Sequence, residues 1–273
     1  MDNKVKRCGK QLINLGLGFI EKTIKFKTDP TGFIPSRWRM LKGTYESFLI
    51  ENILSRLPET GVFIDVGANV GYISKFVAKN RSSANTIIAV EPNPRLQAIL
   101  KYNLSGFDSC KILSLGLSSK IGILEFYHGK DSATGSFIKD YNKNHHFHHK
   151  DYKVTSTHVA IERGDVLFAN VPSIDVMKVD VEGFEFEVLK GFSQLLLKGN
   201  IKNIFFEFNV LSQQMGGVQG KEIIEYLNKF GYQVYGLEGN WNGAIINDRS
   251  VYDLAHDLGK HGYTTLVATY ISS

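Results

Sequence analysis

The sequence has few cysteines, few prolines and no long hydrophobic run, and each shortage excludes a class of protein. Cys8 and Cys110 are the only cysteines among 273 residues, too few for the disulfide framework of a small secreted domain. Six prolines and 43% hydrophobic residues exclude a collagen-like or wholly disordered chain. The longest mostly apolar stretch, residues 12–20, is interrupted by two glycines and is too short to cross a bilayer. We therefore expect a soluble, cytoplasmic globular protein.

Positive charge is scarce outside the N-terminal segment. Residues 1–30 carry seven basic and three acidic groups, so they supply +4 of the net charge of +5. Because a nucleic-acid-binding protein spreads basic residues along one face, we expect no nucleic-acid partner. Two interpretations of the segment stay open: a packed helix with solvated lysines, which we favour, and a helix lying on an anionic membrane surface.

From residue 44 onward, amphipathic helices alternate with short apolar strands. Strands are predicted within residues 62–67, 86–91 and 111–117, with helices before and between them. This β-α-β-α-β order is typical of a parallel sheet with helices on both faces. We therefore assign residues 1–43 to a basic helical extension and 44–273 to the main domain, with a polar, histidine-rich insertion at about 129–153.

A glycine turn follows the first predicted strand, in the segment FIDVGANVG. Gly67 would let the backbone approach a ligand closely, and Asp65 would accept hydrogen bonds from a ligand's donors, such as an ammonium group. Glu91 stands twenty residues after Gly71, at the end of the second strand, where an acid binds ribose hydroxyls. The pattern predicts an adenosine-bearing ligand with a positive charge nearby.

The spacing of this turn separates the candidate cofactors. The dinucleotide fingerprint G-x-G-x-x-G is absent, as is a GK[ST] phosphate loop, and Asp65 would repel a pyrophosphate. S-adenosylmethionine fits better. The alternative is a plain strand–turn–helix whose glycines serve packing alone.

Three blocks resemble the signature blocks of the FkbM-type methyltransferases, which are class I S-adenosylmethionine-dependent enzymes. They are VFIDVGANVGY, AVEPNP and IDVMKVDVEGFEFEVLKGF, and the resemblance covers roughly residues 44–210. It implies a Rossmann-like α/β fold whose mostly parallel seven-stranded sheet has an antiparallel last strand. It also implies O-methylation of sugars, glycans or polyketide-like products. The cofactor-binding residues that it implies are Asp65, Gly67, Asn69, Gly71, Glu91, Asn93 and Ser118.

The third block places Asp180 and Glu182 beyond the end of the fourth strand of the predicted sheet. Ligands of open α/β sheets bind at that edge, and a carboxylate there can take a proton from an attacking hydroxyl. We predict Glu182 and Asp180 as the catalytic residues, with cofactor contact as a further role. The alternative is that Glu182 caps the helix beginning near Phe184.

Two other groups of residues suggest metals, but neither carries a metal prediction. Glu207 ends another strand and with Asp180 could hold a divalent ion; we favour an acid that orders acceptor hydrogen bonds. Four histidines (His145, His146, His148 and His149) lack the tetrahedral spacing of a zinc site, and we expect a solvated loop there, with one of them or Tyr141 lining the acceptor pocket. Residues 162–165 depart from the family pattern, so an acceptor contact from them is not expected.

These observations predict an S-adenosylmethionine-dependent O-methyltransferase acting on a small-molecule, sugar or glycan hydroxyl. An N-methyltransferase is the alternative within enzymes, although the N-P-P-Y-type motif of amino-group methylators is replaced here by DVEG at residues 180–183. A methyltransferase-like binding protein without catalysis is the alternative of another class, and the intact glycine turn argues against it.

Overall fold

The structure is a computed structural model that describes residues 14, 16–129, 135–139, 141, 154–259 and 262–271. Residues 16–24 are helical and lead into α1 (Ile34–Lys42) and α2 (Ser47–Arg56). A proline in its first turn starts α1, and Gly43, at φ +74°, ends it in the left-handed conformation that glycine adopts without strain.

Strands and helices then alternate along the chain. The strands are β1 (Val62–Val66), β2 (Thr86–Val90), β3 (Cys110–Leu113), β4 (Gly116–Leu117), β5 (Gly122–His128), β6 (Thr155–Glu162), β7 (Ile174–Val179), β8 (Ile201–Asn209), β9 (Tyr232–Gly236), β10 (Ile245–Ile246) and β11 (Tyr263–Tyr270). The helices are α3 (Tyr72–Asn80), α4 (Gln97–Leu104), α5 (Gly164–Leu167), α6 (Glu185–Gly191), α7 (Ser193–Leu197), α8 (Val210–Met215), α9 (Gly220–Lys229) and α10 (Ser250–Leu258), with a 3₁₀ turn at Gly239–Trp241.

The main sheet has the order β10-β9-β11-β8-β7-β1-β2-β3. Its central strands run parallel, while β11 pairs antiparallel with both β8 and β9. The predicted α/β fold, with a mostly parallel sheet and an antiparallel last strand, is confirmed. The two-residue strand β10 at the edge raises the number of strands from the predicted seven to eight.

The third predicted strand, residues 111–117, is divided between two sheets. Residues up to Leu113 belong to the main sheet, whereas β4 joins a separate three-stranded sheet with the order β4-β6-β5. Strand β5 precedes the histidine-rich insertion in the chain, and its partner β6 follows it. The insertion therefore lies between the two strands of an antiparallel pair.

Hydrophobic cores cover both faces of the main sheet. The larger core includes Ile64, Met177 and Phe206. The second core gathers Phe63, Val176 and Phe205 together with α2 and α3, and Leu17, Phe26 and Leu41 of the N-terminal region pack into it. The described part of that region therefore shares a core with residues of the main domain, and a domain boundary at residue 43 stays a prediction.

Candidate active site

A cavity of about 160 Å³ lies where the carboxyl ends of β1, β2 and β7 meet. Asp65, Gly67 and Asn69 line it from the glycine turn, Glu91 from β2, and Asp180 and Glu182 from the loop after β7. The three sequence blocks therefore converge on one space, because parallel strands end at the same edge of the sheet. Arg37 of α1 and Phe33, the residue before α1, also line the cavity.

The glycine turn after β1 is needed for a close approach within the chain itself. Gly67 has φ +81°, and a Cβ there would lie 1.8 Å from the backbone oxygen of Asp180. Gly67 is predicted from the sequence to let a ligand approach the backbone. In the structure, β1 and the end of β7 also pass too closely for a side chain at position 67. Gly71, at φ +79°, is the N-cap residue of α3.

Replacing Gly67 with alanine should lower the free energy of unfolding by about 3 kcal/mol or more, because left-handed strain and a backbone overlap add. Gly217→Ala is the matched control, since Gly217 has φ +71° with open space around it and should cost only about 1–2 kcal/mol of strain. Thermal or denaturant unfolding measures both. Equal losses in the two variants would show that the contact with Asp180 is relaxed at little cost.

Asp65 is fully buried and has partners that the sequence analysis did not foresee. Its Oδ2 accepts a hydrogen bond from the Ser74 hydroxyl at 2.6 Å, and its Oδ1 lies 3.5 Å from Nζ of Lys178. The two strands place Asp65 and Lys178 in register. Since a cation of the chain already faces this carboxylate, a direct bond to the ammonium group of a ligand stays a prediction.

Lys178 is the functional candidate that sequence reasoning missed. Its Nζ lies 3.2 Å from Oδ2 of Asp180 and its side chain is buried. Burial alone would lower the pKa of Lys178, but the negative charges of Asp180, Asp65 and Glu46 raise it above its ordinary value. The available signal was a lysine in the segment IDVMKVD, whose other residues are apolar except Asp175 and Asp180, since lysine is almost never buried without a partner.

Glu91 is held by two backbone groups at the end of β2. Its Oε2 accepts the N–H of Asn69 and its Oε1 accepts the N–H of Asn93, each at 2.8 Å. Burial raises the pKa of Glu91 to about 7, although these two bonds lower it in part. Each carboxylate oxygen keeps a second lone-pair direction, so the group can still accept the hydroxyls of a ribose.

Three of the predicted cofactor residues, Gly71, Asn93 and Ser118, are not among the described residues that line the cavity. The side chain of Asn93 accepts the N–H of Arg95 at 3.1 Å within a turn. The N–H of Ser118 donates to the carbonyl of Glu162 at 2.9 Å, and the two residues before Ser118 line the cavity instead. A role for these three in cofactor binding stays a prediction.

Glu182 lines the cavity in a strained conformation, with φ +57°. Its carboxylate accepts a hydrogen bond from the hydroxyl of the buried Tyr141, and its backbone carbonyl accepts one from the Ser136 hydroxyl at 2.8 Å. Burial first, and then the charge of Asp180, raise the pKa of Glu182 well above its ordinary value. The insertion thus contacts the predicted base through two side chains.

The side chain of Glu182 makes no capping hydrogen bond to α6. The N-cap residue of α6 is Phe184, whose side chain makes no such bond either. Glu185 instead orders the loop, since its Oε1 accepts the N–H groups of Val181 at 3.0 Å and Gly183 at 3.2 Å. The side chain of Glu182 is therefore directed to Tyr141 and the cavity and not to the helix.

Glu46 is a second site residue that the sequence analysis missed. It is the N-cap residue of α2, with φ +47°, and it lines the cavity. Among the described residues, four others than glycine have positive φ, and three of them line the cavity: Glu46, Asn69 and Glu182. Strained backbone concentrates at functional sites. Burial raises the pKa of Glu46 to about 7.

The remaining candidates lie around this site or outside the described residues. The four histidines belong to the undescribed part of the insertion. Within the described residues, no group of three metal-ligating side chains converges. Asp165, in the stretch that departs from the family pattern, accepts the N–H groups of Gln194 and Leu195 at 3.0 Å and so anchors α7.

Comparison with known proteins identifies the family. The FkbM methyltransferase domain matches residues 65–234, more than half of the chain. The chain belongs to the FkbM methyltransferase family. It is 30% identical over 195 residues to the hexuronic acid methyltransferase AglP of Haloferax volcanii, covering 70% of this chain and 72% of that protein.

A second relative is also named as a methyltransferase. The methyltransferase sdnD of Sordaria araneosa is 30% identical over 166 residues, which are 52% of this chain and 64% of that protein. Among solved structures, TrmK of M. capricolum, in complex with S-adenosyl-homocysteine, aligns with 82% of this chain and 68% of its own at 11% identity and a TM-score of 0.42. No helix of the described residues of this methyltransferase is both long and apolar enough to span a bilayer.

Proposed function

We propose that this methyltransferase uses S-adenosylmethionine to methylate a hydroxyl group of a sugar, glycan or related metabolite. The observation that carries the proposal is the position of Glu91, a buried carboxylate at the end of β2 that lines the same cavity as Asp180 and Glu182. The acidic residues suit a cofactor that carries a sulfonium and an ammonium group. The relative AglP, named for a hexuronic acid, supports a sugar acceptor.

The residues present fit this cofactor in both charge and shape. Glu91 would hold the ribose, and apolar side chains such as Leu117, Phe126 and Phe137 offer a surface for the adenine. Six acidic and two basic residues line the cavity, which suits a site that receives a cation. Bound there, S-adenosylmethionine would supply an electrophilic methyl group.

The chain's own part in the reaction is to orient the acceptor and to take its proton. The Glu182 carboxylate would take up the proton of the acceptor's hydroxyl group, whose oxygen would receive the methyl group that the bound cofactor would supply. The raised pKa of Glu182 makes the ionised form a stronger base, and a nearby sulfonium favours that form. The Tyr141 hydroxyl holds the carboxylate in place.

Titration calorimetry of the wild type and of Glu91→Gln tests the cofactor assignment. We expect the variant to bind S-adenosylmethionine about 1.5–3 kcal/mol more weakly, the cost of a lost charge-assisted hydrogen bond. Glu225→Gln, on the exposed face of α9, is the control and should bind normally. A wild-type protein that does not bind millimolar S-adenosylmethionine would overturn the proposal and favour a binding protein without catalysis.

The affinity for S-adenosylmethionine should also fall as the pH falls below 7. Burial raises the pKa of Glu91 to about 7, so below that pH the Glu91 carboxyl of the ligand-free protein is protonated and uncharged. It then attracts the positively charged cofactor less. Kd should rise by up to about tenfold per pH unit. Calorimetry between pH 6 and pH 8 measures this, and a Kd that does not change over this range would contradict it.

The stability of the ligand-free protein should follow the opposite trend. The pKa values of Glu46, Glu91 and Glu185 are all raised to about 7. A raised carboxyl pKa favours folding below the ordinary value of 4.5, and this contribution is lost as the pH rises through 7. The melting temperature without cofactor should therefore decrease as the pH rises from 4.5 to about 7.

A further inference from the structure

A smaller pocket of about 50 Å³ adjoins the cofactor cavity at the ends of β7 and β8. Glu46, Lys178 and Asp180 line both spaces. Glu207 of β8 and Thr265 of β11 line only the smaller one; the two are partners in the strand register. A group bound there would thus lie directly beside the cofactor.

One acid of this pocket lacks a partner. Oε2 of Glu207 is fully buried and has no hydrogen bond to any residue that the structure describes. Burial, followed by the charges of Glu182 and Asp180, raises the pKa of Glu207 well above its ordinary value. Leaving a buried carboxyl oxygen unpaired costs free energy, which a ligand that donates a hydrogen bond would recover.

The pocket contains both hydrogen-bond donors and hydrogen-bond acceptors, so a ligand group that suits it must match both kinds. Glu207 and Glu46 accept hydrogen bonds, Thr265 can donate or accept, and Lys178 donates. A hydroxyl group both donates and accepts, so it can satisfy every one of them. A carboxylate only accepts and would face three acidic side chains, while Lys178 already pairs with Asp65 and Asp180.

We infer that this pocket binds hydroxyl groups of a neutral, sugar-like acceptor and disfavours uronic acids. The inference rests on the proposed function and adds to it the charge of the acceptor and the residues that recognise it. Leu49 and Phe205 supply an apolar wall, against which the C–H groups of a sugar ring can pack.

The test uses the whole chain saturated with S-adenosyl-homocysteine. Methyl α-D-glucopyranoside is titrated beside its uronate, followed by the galacto and manno pairs, with binding measured by calorimetry and ligand-observed NMR. At least one neutral glycoside should bind about tenfold or more tightly than its matched uronate, because the acids of the pocket repel a carboxylate.

Two variants test whether the neutral glycoside binds in this pocket. Glu207→Gln should weaken the neutral glycoside about tenfold, because the amide replaces one acceptor oxygen of the carboxylate with a donor and removes its charge. Thr265→Val should weaken it about threefold to tenfold and covers the case in which Glu207→Gln does not fold. Both should bind S-adenosyl-homocysteine normally, and Glu225→Gln should match the wild type in every titration.

The possible failures are distinguishable. Uronates that all bind as tightly as their neutral counterparts would overturn the inference. So would wild-type glycoside affinity in both Glu207→Gln and Thr265→Val, or the absence of binding by all the neutral probes. A wild-type protein that does not bind S-adenosyl-homocysteine would overturn the proposed function, and the inference with it, before any sugar is added.

Discussion

Changing Glu182 to glutamine should lower the turnover rate by about 10²–10⁴ while the affinity for S-adenosylmethionine stays nearly unchanged. Glutamine keeps the volume of the side chain and can still accept the hydrogen bond of the Tyr141 hydroxyl. It cannot take up the proton of the attacking hydroxyl. Because Glu182 does not cap α6, the change should also leave the melting temperature close to that of the wild type.

This experiment needs an acceptor, which a mass-spectrometric screen of glycans and lipids for the gain of one CH₂ unit would identify. Turnover, a cofactor titration and a thermal melt are then measured on the same variant, with Glu225→Gln as the surface control. Normal turnover would contradict the role of Glu182 as a base. A parallel loss of cofactor affinity would show that Glu182 holds the cofactor instead.

Replacing Lys178 with methionine should lower the free energy of unfolding by about 3–5 kcal/mol, the usual cost of removing one partner from a buried ion pair. Asp65, which is fully buried, would lose its cation, and its charged form would then be disfavoured. Denaturant unfolding near pH 7.5 measures the loss. Methionine has a similar length and fills the same space, so the loss reports charge more than packing.

Lys221→Met is the matched control, since Lys221 pairs with Glu225 at 3.2 Å on the surface of α9 and its replacement should change the free energy of unfolding little. Adding Asp65→Asn to Lys178→Met should recover part of the loss, because both charges are then gone. A loss in Lys178→Met no larger than in Lys221→Met would show that the buried pair contributes little.

The alternation of apolar strands and helices was sufficient to predict the main sheet, because its parallel strands are buried on both faces and appear as apolar runs in the sequence. It was not sufficient for the smaller sheet. The segment KILSLGL looks like one strand, yet β3 and β4 pair with different partners. Strand pairing between distant segments depends on contacts that local periodicity does not encode.

For the candidate site, the sequence pattern was sufficient to predict four acids at strand ends: Asp65, Glu91, Asp180 and Glu182 follow or end apolar runs. Parallel strands bring such positions to one edge of the sheet. The partners of these acids depend on tertiary contacts. Lys178 pairs with two of these acids. Glu46, at the start of α2 and before the first strand, lines the same cavity. Tyr141, in the insertion, contacts Glu182. Such partners are distant in sequence, so the charge and the pKa of each acid depend on a geometry that exists only in the folded chain.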